Sequence, residues 1–255
     1  MKLSLSGRIL QGSPTPLSPA DFIHLARDTG FDLVELRADQ VPVDSSEAEL
    51  AALHRVLDDA GIGVSMLVIG GVAEVDSWIR VARALGVLNL RVNGTVDSIA
   101  AAADAMPADV RLVTQMHSGS SFENVAQSAA NLTRIPSPRF GLMPEPANLL
   151  FAGERWSPEL FAPLQERIYG CNAQSIALDP DSGNRVMMND GRQIGYKRLD
   201  WRDNHDLDFP GFLAALRAVG YDDFINFIDP SDPGMSLQEL AAGTAAYARE
   251  CLAAV

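Results

Sequence analysis

Eight short apolar runs, each followed by a helical pattern, constrain this chain more than any other feature. The runs are MKLSLSG, FDLVELRA, IGVSMLVIG, VLNLRVNG, VRLVTQMHSG, FGLMPEP, IYGCNAQSIAL and DFINFID. They are apolar on both faces, as parallel strands covered by helices must be. Between them, segments such as SPADFIHLARDTG and SSEAELAALHRVLDDAG repeat apolar residues at helical spacing. The first starts with Ser18 as an N-cap and Pro19 in the first turn, and both stop at a glycine, Gly30 or Gly61. Most strand starts lie roughly 23–30 residues apart, the length of a strand-plus-helix repeat. Eight such units with nothing left over predict an α/β fold, a single closed (β/α)8 TIM barrel over residues 1–255. An open doubly wound sheet would more often carry a Gly-rich phosphate loop after its first strand, and SGRILQGSP lacks the GxGxxG spacing.

Composition narrows the function. The formal net charge of −13 disfavours nucleic acid as a partner, because phosphate backbones need a basic surface. Cys171 and Cys251 are too few for a disulfide framework or a thiolate zinc site. No apolar stretch reaches membrane-spanning length and MKLSLSGRIL has no apolar signal region, which predicts a cytoplasmic protein without a membrane partner.

Polar residues gather where the strands end. Side chains two apart share a face of a strand, and several strands end in such pairs: Glu35 and Arg37, Arg91 and Asn93, Gln115 and His117, Asn172 and Gln174. Glu145 ends the sixth strand between Pro144 and Pro146, and Asp229 follows the eighth. In a barrel these converge on the C-terminal face, where barrel active sites are built. One such residue is only a strand meeting solvent; six strands of eight predict a site.

The interval 177–207 breaks the repeat and is too long for a simple connection, so it reads as a lid-like loop or a contact between copies of the chain. It concentrates Arg185, Arg192, Lys197, Arg198 and Arg202. Trp201 in this lid and Trp156 after strand six offer aromatic faces to the apolar side of a sugar, or simply pack their loops. HSGSSFENV offers backbone amides and serine hydroxyls to an anion, or N-caps a helix through Ser120 or Ser121.

Three stretches carry a family resemblance: TGFDLVELRAD at strand two, PEPANLLFAG at strand six, and GFLAALRAVGYDDFINFID at the end. Together the eight units resemble the xylose isomerase-like TIM barrels, which include sugar isomerases, epimerases and related endonucleases. The resemblance implies a divalent metal, Mn²⁺ or Mg²⁺, held by ligands from strands five to eight. Those positions fall here on Gln115, Glu145, Asn172 or Gln174, and Asp229. The departures are chemical: carboxamides bring oxygen without charge, so the metal is either weakened or lost. Gln115 also cannot serve as a general base. The resemblance thus implies an isomerase or epimerase acting on a sugar or polyhydroxylated keto compound. Glu145, His117 and Asp229 would be its proton-transfer groups, and Glu35, Arg37, Arg91, Asn93, Trp156 and Trp201 would contact substrate. A lyase or dehydratase shares the enolisation step. A metal-free ligand-binding homologue or accessory subunit is the competing class. The basic face and histidine cluster of the endonuclease branch are missing.

Overall fold

The computed structural model describes residues 1–14, 16–232 and 234–255. In chain order the elements are β1 (Lys2–Ser6), α1 (Pro19–Asp28), β2 (Leu33–Arg37), α2 (Glu47–Ala60), β3 (Gly63–Gly71), α3 (Val75–Ala84), β4 (Asn89–Asn93), α4 (Val96–Ala105), β5 (Arg111–Gln115), α5 (Val125–Leu132), β6 (Phe140–Met143), α6 (Pro146–Phe151) and α7 (Pro158–Phe161). There follow β7 (Cys171–Ala173), β8 (Ile176–Leu178), β9 (Arg185–Met187), β10 (Gln193–Arg198), α8 (Phe209–Ala218), β11 (Phe224–Phe227) and α9 (Leu237–Ala253).

Eight parallel strands run in the order β6-β5-β4-β3-β2-β1-β11-β7. The ends of this sheet meet where Tyr169 N donates to Leu142 O (3.0 Å) and Asn172 N to Pro144 O (3.1 Å), closing the barrel. The (β/α)8 architecture expected from the sequence is the one observed. Strand alternation sorts the core into two compartments. Leu3, Leu5, Val34, Leu36, Leu67, Leu90, Leu112, Leu142 and Ile225 pack outward with the helices. Leu33, Met66, Val113, Met143 and Phe224 form a separate cluster inside the barrel. Fully burying a side chain of this kind contributes about 1.5–3 kcal/mol, so both compartments hold the barrel closed.

Helix ends follow local chemistry. The Ser18 side chain accepts from Asp21 N with Pro19 in the first turn, and Ser46 and Glu49 form a capping box at the start of α2. The expected capping of α5 by Ser120 or Ser121 does not occur. The helix starts later and Asn124 caps it by accepting from Gln127 N, while Ser120 Oγ donates to His117 O.

The interval read as a loop is largely a three-stranded antiparallel sheet, β8-β10-β9. The seventh run divides accordingly: its first part, β7, joins the barrel and its second, β8, leaves it. Asn189, Asp190 and Gly191 turn β9 into β10, with Met187 opposite Gln193 and Gly191 at φ +86°. That conformation suits glycine and makes the segment a three-residue hairpin. The lid is fastened to the barrel by Asn189, whose backbone N donates to Glu123 (2.8 Å) and whose side chain donates to Ser120 O (2.7 Å). Among the described residues, no helix is long and apolar enough to cross a membrane.

Candidate functional site at the barrel mouth

Two residues above the inner apolar cluster, the inward positions turn polar: Leu33 gives way to Glu35, Val113 to Gln115, Met143 to Glu145 and Phe224 to Asn226. Glu35, Glu145, Asn172 and Asn226 are fully buried. Burying charge and amide at this density is costly unless every group finds a partner. The partners fall into three sets.

The first set surrounds Glu35. Its carboxylate accepts from Ser6 Oγ (2.5 Å), Arg37 NH1 (3.3 Å) and Asn226 Nδ2 (2.6 Å), and Arg91 NH1 stands 3.8 Å away. Asn226 Oδ1 takes Ser4 Oγ (3.0 Å), and Asn226 also donates to Asn172 Oδ1 (3.0 Å). Asn172 donates in turn to Gln115 Oε1 (3.0 Å), which also accepts from Arg91 NH2. Strands β1, β2, β4, β5, β7 and β11 are thereby joined through one chain of side chains. Arg91 keeps one nitrogen, Nε, buried and without a partner among the described residues. Burial lowers its pKa first of all, against the opposing pull of Glu35.

Glu145 forms the second set and answers what a carboxylate does between two prolines. Its φ of −140° is extended, Pro146 opens α6, and its side chain folds back to cap that helix. Oε1 accepts from Ala147 N (3.0 Å), and Oε2 from Asn148 N (2.9 Å), Asn148 Nδ2 (2.5 Å) and Gln174 Nε2 (3.4 Å). All these donors are neutral. Desolvation outweighs them and raises the pKa to about 7. Asn148 continues the chain, its Oδ1 accepting from Ser118 N (3.1 Å) and Ser118 Oγ (2.9 Å). His117 Nδ1 faces Ser118 O at 2.8 Å, so Nδ1 carries the proton and Nε2 presents a lone pair. Burial in the mouth lowers the His117 pKa against that hydrogen bond, with Arg91 and Arg8 adding to the effect.

The third set holds Asp229 beneath the lid. It accepts from Ser175 N (2.9 Å) and Trp201 Nε1 (3.0 Å), with Arg198 NH1 at 3.6 Å. Burial raises its pKa in spite of them. Arg198 also reaches Gln174 Oε1 at 3.4 Å, linking this set to Glu145.

The structure therefore gathers Glu35, Arg37, Arg91, Gln115, His117, Glu145, Asn172, Gln174 and Asp229 at one end of the barrel. Asn93 lies exposed at the end of β4. Trp201 is buried among Phe209, Phe227 and Tyr247 and meets the mouth only through its indole N–H. Trp156 turns outward, donating to Asp208 O (2.8 Å) and packing edge-on against Phe212. Of the lid cations, Arg192, Lys197 and Arg202 pair with Asp190, Asp179 and Glu250, and Arg185 donates to Pro180 O; only Arg198 reaches the polar sets.

Four contributors escape a reading of strand ends. Asn226 sits between aromatics in FINF, just before the more conspicuous Asp229, and stands opposite Asn172 and Ser4 in the sheet. Ser4 and Ser6 are small polar residues in a run whose alternation could have marked them. Arg8 follows on a short turn, Gly7–Leu10, where Ser6 accepts from Arg8 N. A side chain at Gly7 would collide with Gln40, so the β1 and β2 ends interlock there.

The positions implied as metal ligands do not fit a divalent ion as arranged. Gln115 oxygen is occupied by a guanidinium and an amide, Glu145 caps its own helix, and Asp229 belongs to the lid set. Among the described residues, no three His, Cys, Asp or Glu side chains converge on a common point.

Fold and site define a (β/α)8 barrel with a continuous polar network at the C-terminal ends of its strands. The chain belongs to the xylose isomerase-like TIM barrel family, whose model matches residues 23–251. A comparison with curated proteins finds no match. Among solved structures it is similar to the IolI protein with a bound zinc atom, at 16% identity and TM-score 0.76, covering 99% of this chain and 98% of that one. An L-ribulose 3-epimerase follows at 17% identity and TM-score 0.73, covering 99% and 95%. The probable 3-DHS dehydratase AsbF from Bacillus anthracis gives 13% identity and TM-score 0.71, covering 98% and 99%. At these identities the likeness speaks for the fold.

Proposed function

We propose that this protein is an isomerase or epimerase of a small polyhydroxylated keto compound, working by metal-independent proton transfer at the barrel mouth. The observation that carries the reading is Glu145, a fully buried carboxylate whose pKa stands at about 7. A general base works best when its pKa lies near the operating pH. Glu145 and His117 both feel the charge of Arg91 and Arg8, or impose theirs on it, and the two are linked through Ser118 and Asn148.

Ionised Glu145 takes the proton from the carbon beside the substrate carbonyl. The released electron pair forms the carbon–carbon double bond and the carbonyl oxygen becomes the enediolate oxygen. Arg91, held by Glu35 and Gln115 with Nε unsatisfied, offsets that charge in a site shielded from water. His117 Nε2 accepts the neighbouring hydroxyl proton. Return of both protons, to the other carbon and the other oxygen, gives the isomer; the epimer forms when the same carbon takes a proton from an acid on its opposite face while Glu145 keeps the one it took. A structural neighbour described as an L-ribulose 3-epimerase supports the substrate class. The engagement of Gln115 oxygen by Arg91 supports a guanidinium, rather than a metal ion, as the fixed positive charge.

Exchange of a carbon-bound hydrogen of ketoses with deuterated water, followed by NMR, tests this. Glu145→Gln should lose about 10²–10⁴-fold in exchange rate with an unchanged fold by circular dichroism. The wild-type rate should also persist in chelator. Normal exchange in the variant would remove Glu145 from the chemistry.

A further inference from the structure

The lid is a hairpin whose contacts follow the barrel strands in order. At its root, where the chain leaves the barrel and returns, Trp201 donates to Asp229 beyond β11 (3.0 Å) and Leu199 N to Ser175 O beyond β7 (3.4 Å). Further out, the Tyr196 ring packs on Phe151 of α6, which follows β6, with 5.5 Å between centroids. The tip reaches the loop after β5, where Glu123 and Ser120 both accept from Asn189. Strands β5, β6, β7 and β11 are neighbours around the barrel, so the lid passes over the end of β6. Glu145 stands there with no exposed surface, and a substrate carbon reaches its carboxylate only if the lid lifts.

The two ends of the lid are held differently. The root is apolar: Trp201 is buried against Phe209, Phe227 and Tyr247. The tip depends on one buried side chain, Met188, and on hydrogen bonds, one of them exposed. Glu123 Oε2 accepts from both Gly119 N (2.7 Å) and Asn189 N (2.8 Å), so one carboxylate oxygen ties the β5 loop to the lid. Gly119 permits the close approach, since its φ is +71° and a Cβ there would stand 3.1 Å from Met187 O. Both donors to Glu123 are neutral, and its carboxylate is buried. Closing the tip strips water from that charge, which offsets part of what the closed contacts contribute. Met188 is unbranched and flexible, so it leaves its site without strain.

We propose that Glu123 is the latch of a hinged lid: the tip, residues 185–195, opens from the loop after β5 while the root around Trp201 stays closed, and this opening uncovers Glu145. Only the passage of substrate beneath the lid rests on the proton-transfer reading; the hinge does not. Glu123 acts as a positioning residue. It ties the lid to the loop that follows His117, so closure and the placement of His117 go together.

Amide hydrogen exchange of the whole chain, followed residue by residue by NMR, tests this without any ligand. In Glu123→Ala the amides of residues 185–195 should exchange at least about tenfold faster than in wild type. Ala147 and Asn148, whose amides Glu145 holds, should speed up with them, and root residues 199–207 should not. Glu123→Gln should recover part of the protection, because its carboxamide oxygen still accepts from Gly119 and Asn189. Asn189→Ala deletes only the side-chain bond to Ser120 O and should give a smaller increase in the same residues; it stands in if Glu123→Ala does not fold. Unchanged exchange at the tip, root and tip opening together, or a freed tip over unmoved Ala147 and Asn148 would overturn the proposal. None of these outcomes requires turnover. Failure of the latch is therefore separable from failure of the proton-transfer reading, which is judged by exchange into ketoses alone.

Discussion

Glu35 and Glu145 are equally buried carboxylates at the same level of one barrel, and the charge of their partners sets them apart. Glu35, on the β2 side, is held by two guanidinium groups along with Ser6 and Asn226. Glu145, on the β6 side, has only neutral donors: two backbone amides and two carboxamides. Hydrogen bonds alone do not offset the loss of water around a full charge, and Glu145 responds by becoming a group that titrates near neutrality. The barrel therefore has a charged side that fixes geometry and a neutral side free to exchange a proton.

The sharpest way to break this contrast is Glu35→Ala. It strands Arg37 and Arg91 without their carboxylate and should cost about 3–5 kcal/mol in urea denaturation, as removal of one partner of a buried ion pair does. A loss under 1 kcal/mol would show that the guanidinium groups find water instead.

The pH profile sharpens the other half. Glu145 has a folded pKa raised from 4.5 to about 7, so the folded state binds more protons than the unfolded across that window. Its contribution is fully present below 4.5 and is lost as pH rises through about 7. Asp229, raised as well, acts with the same sign, and His117, lowered, acts with the opposite one. Comparing stability against pH for wild type and Glu145→Gln isolates the first contribution. The variant should lack the decline between 4.5 and 7. Parallel curves would contradict the raised pKa.

The smallest effect belongs to Trp156→Phe, which removes one hydrogen bond to Asp208 O far from both carboxylates. A loss of about 0.5–1.5 kcal/mol in stability with no change in exchange rate is expected. A large rate loss would draw Trp156 back into the site.

How far the sequence reveals all this depends on the range of the interactions. The eight-unit alternation is legible because strand burial and helix periodicity are local, and so is the polar ending of each strand. Asn226 is not legible in the same way, since its value comes from Glu35, which is 191 residues distant. The folded-back Glu145 has a local signal, a Pro-flanked position in front of helix α6, that marks an N-cap as well as a strand end. The lid hairpin also had one, Asn189-Asp190-Gly191 between two pairing runs, obscured by the polar composition around it. Ser6 belongs to a run that ends at Gly7, and Arg8 follows it in what looks like an ordinary turn. Only the spatial closure of β1 against β11 gives them a role.

That closure bears on how the chain is made. Ser4 must wait for Asn226, 222 residues later, before its hydroxyl has its carboxamide acceptor. Synthesis at about 5–20 residues per second leaves the first strand without its final neighbour for about 10–45 s. During that time the unfinished half-barrel exposes an unpaired edge beside the residues that will line the mouth. Glu35, Arg37 and Arg91 lie along that inner surface and remain hydrated there, so the nascent chain emerging from the ribosome shows charge where a purely apolar barrel interior would invite aggregation.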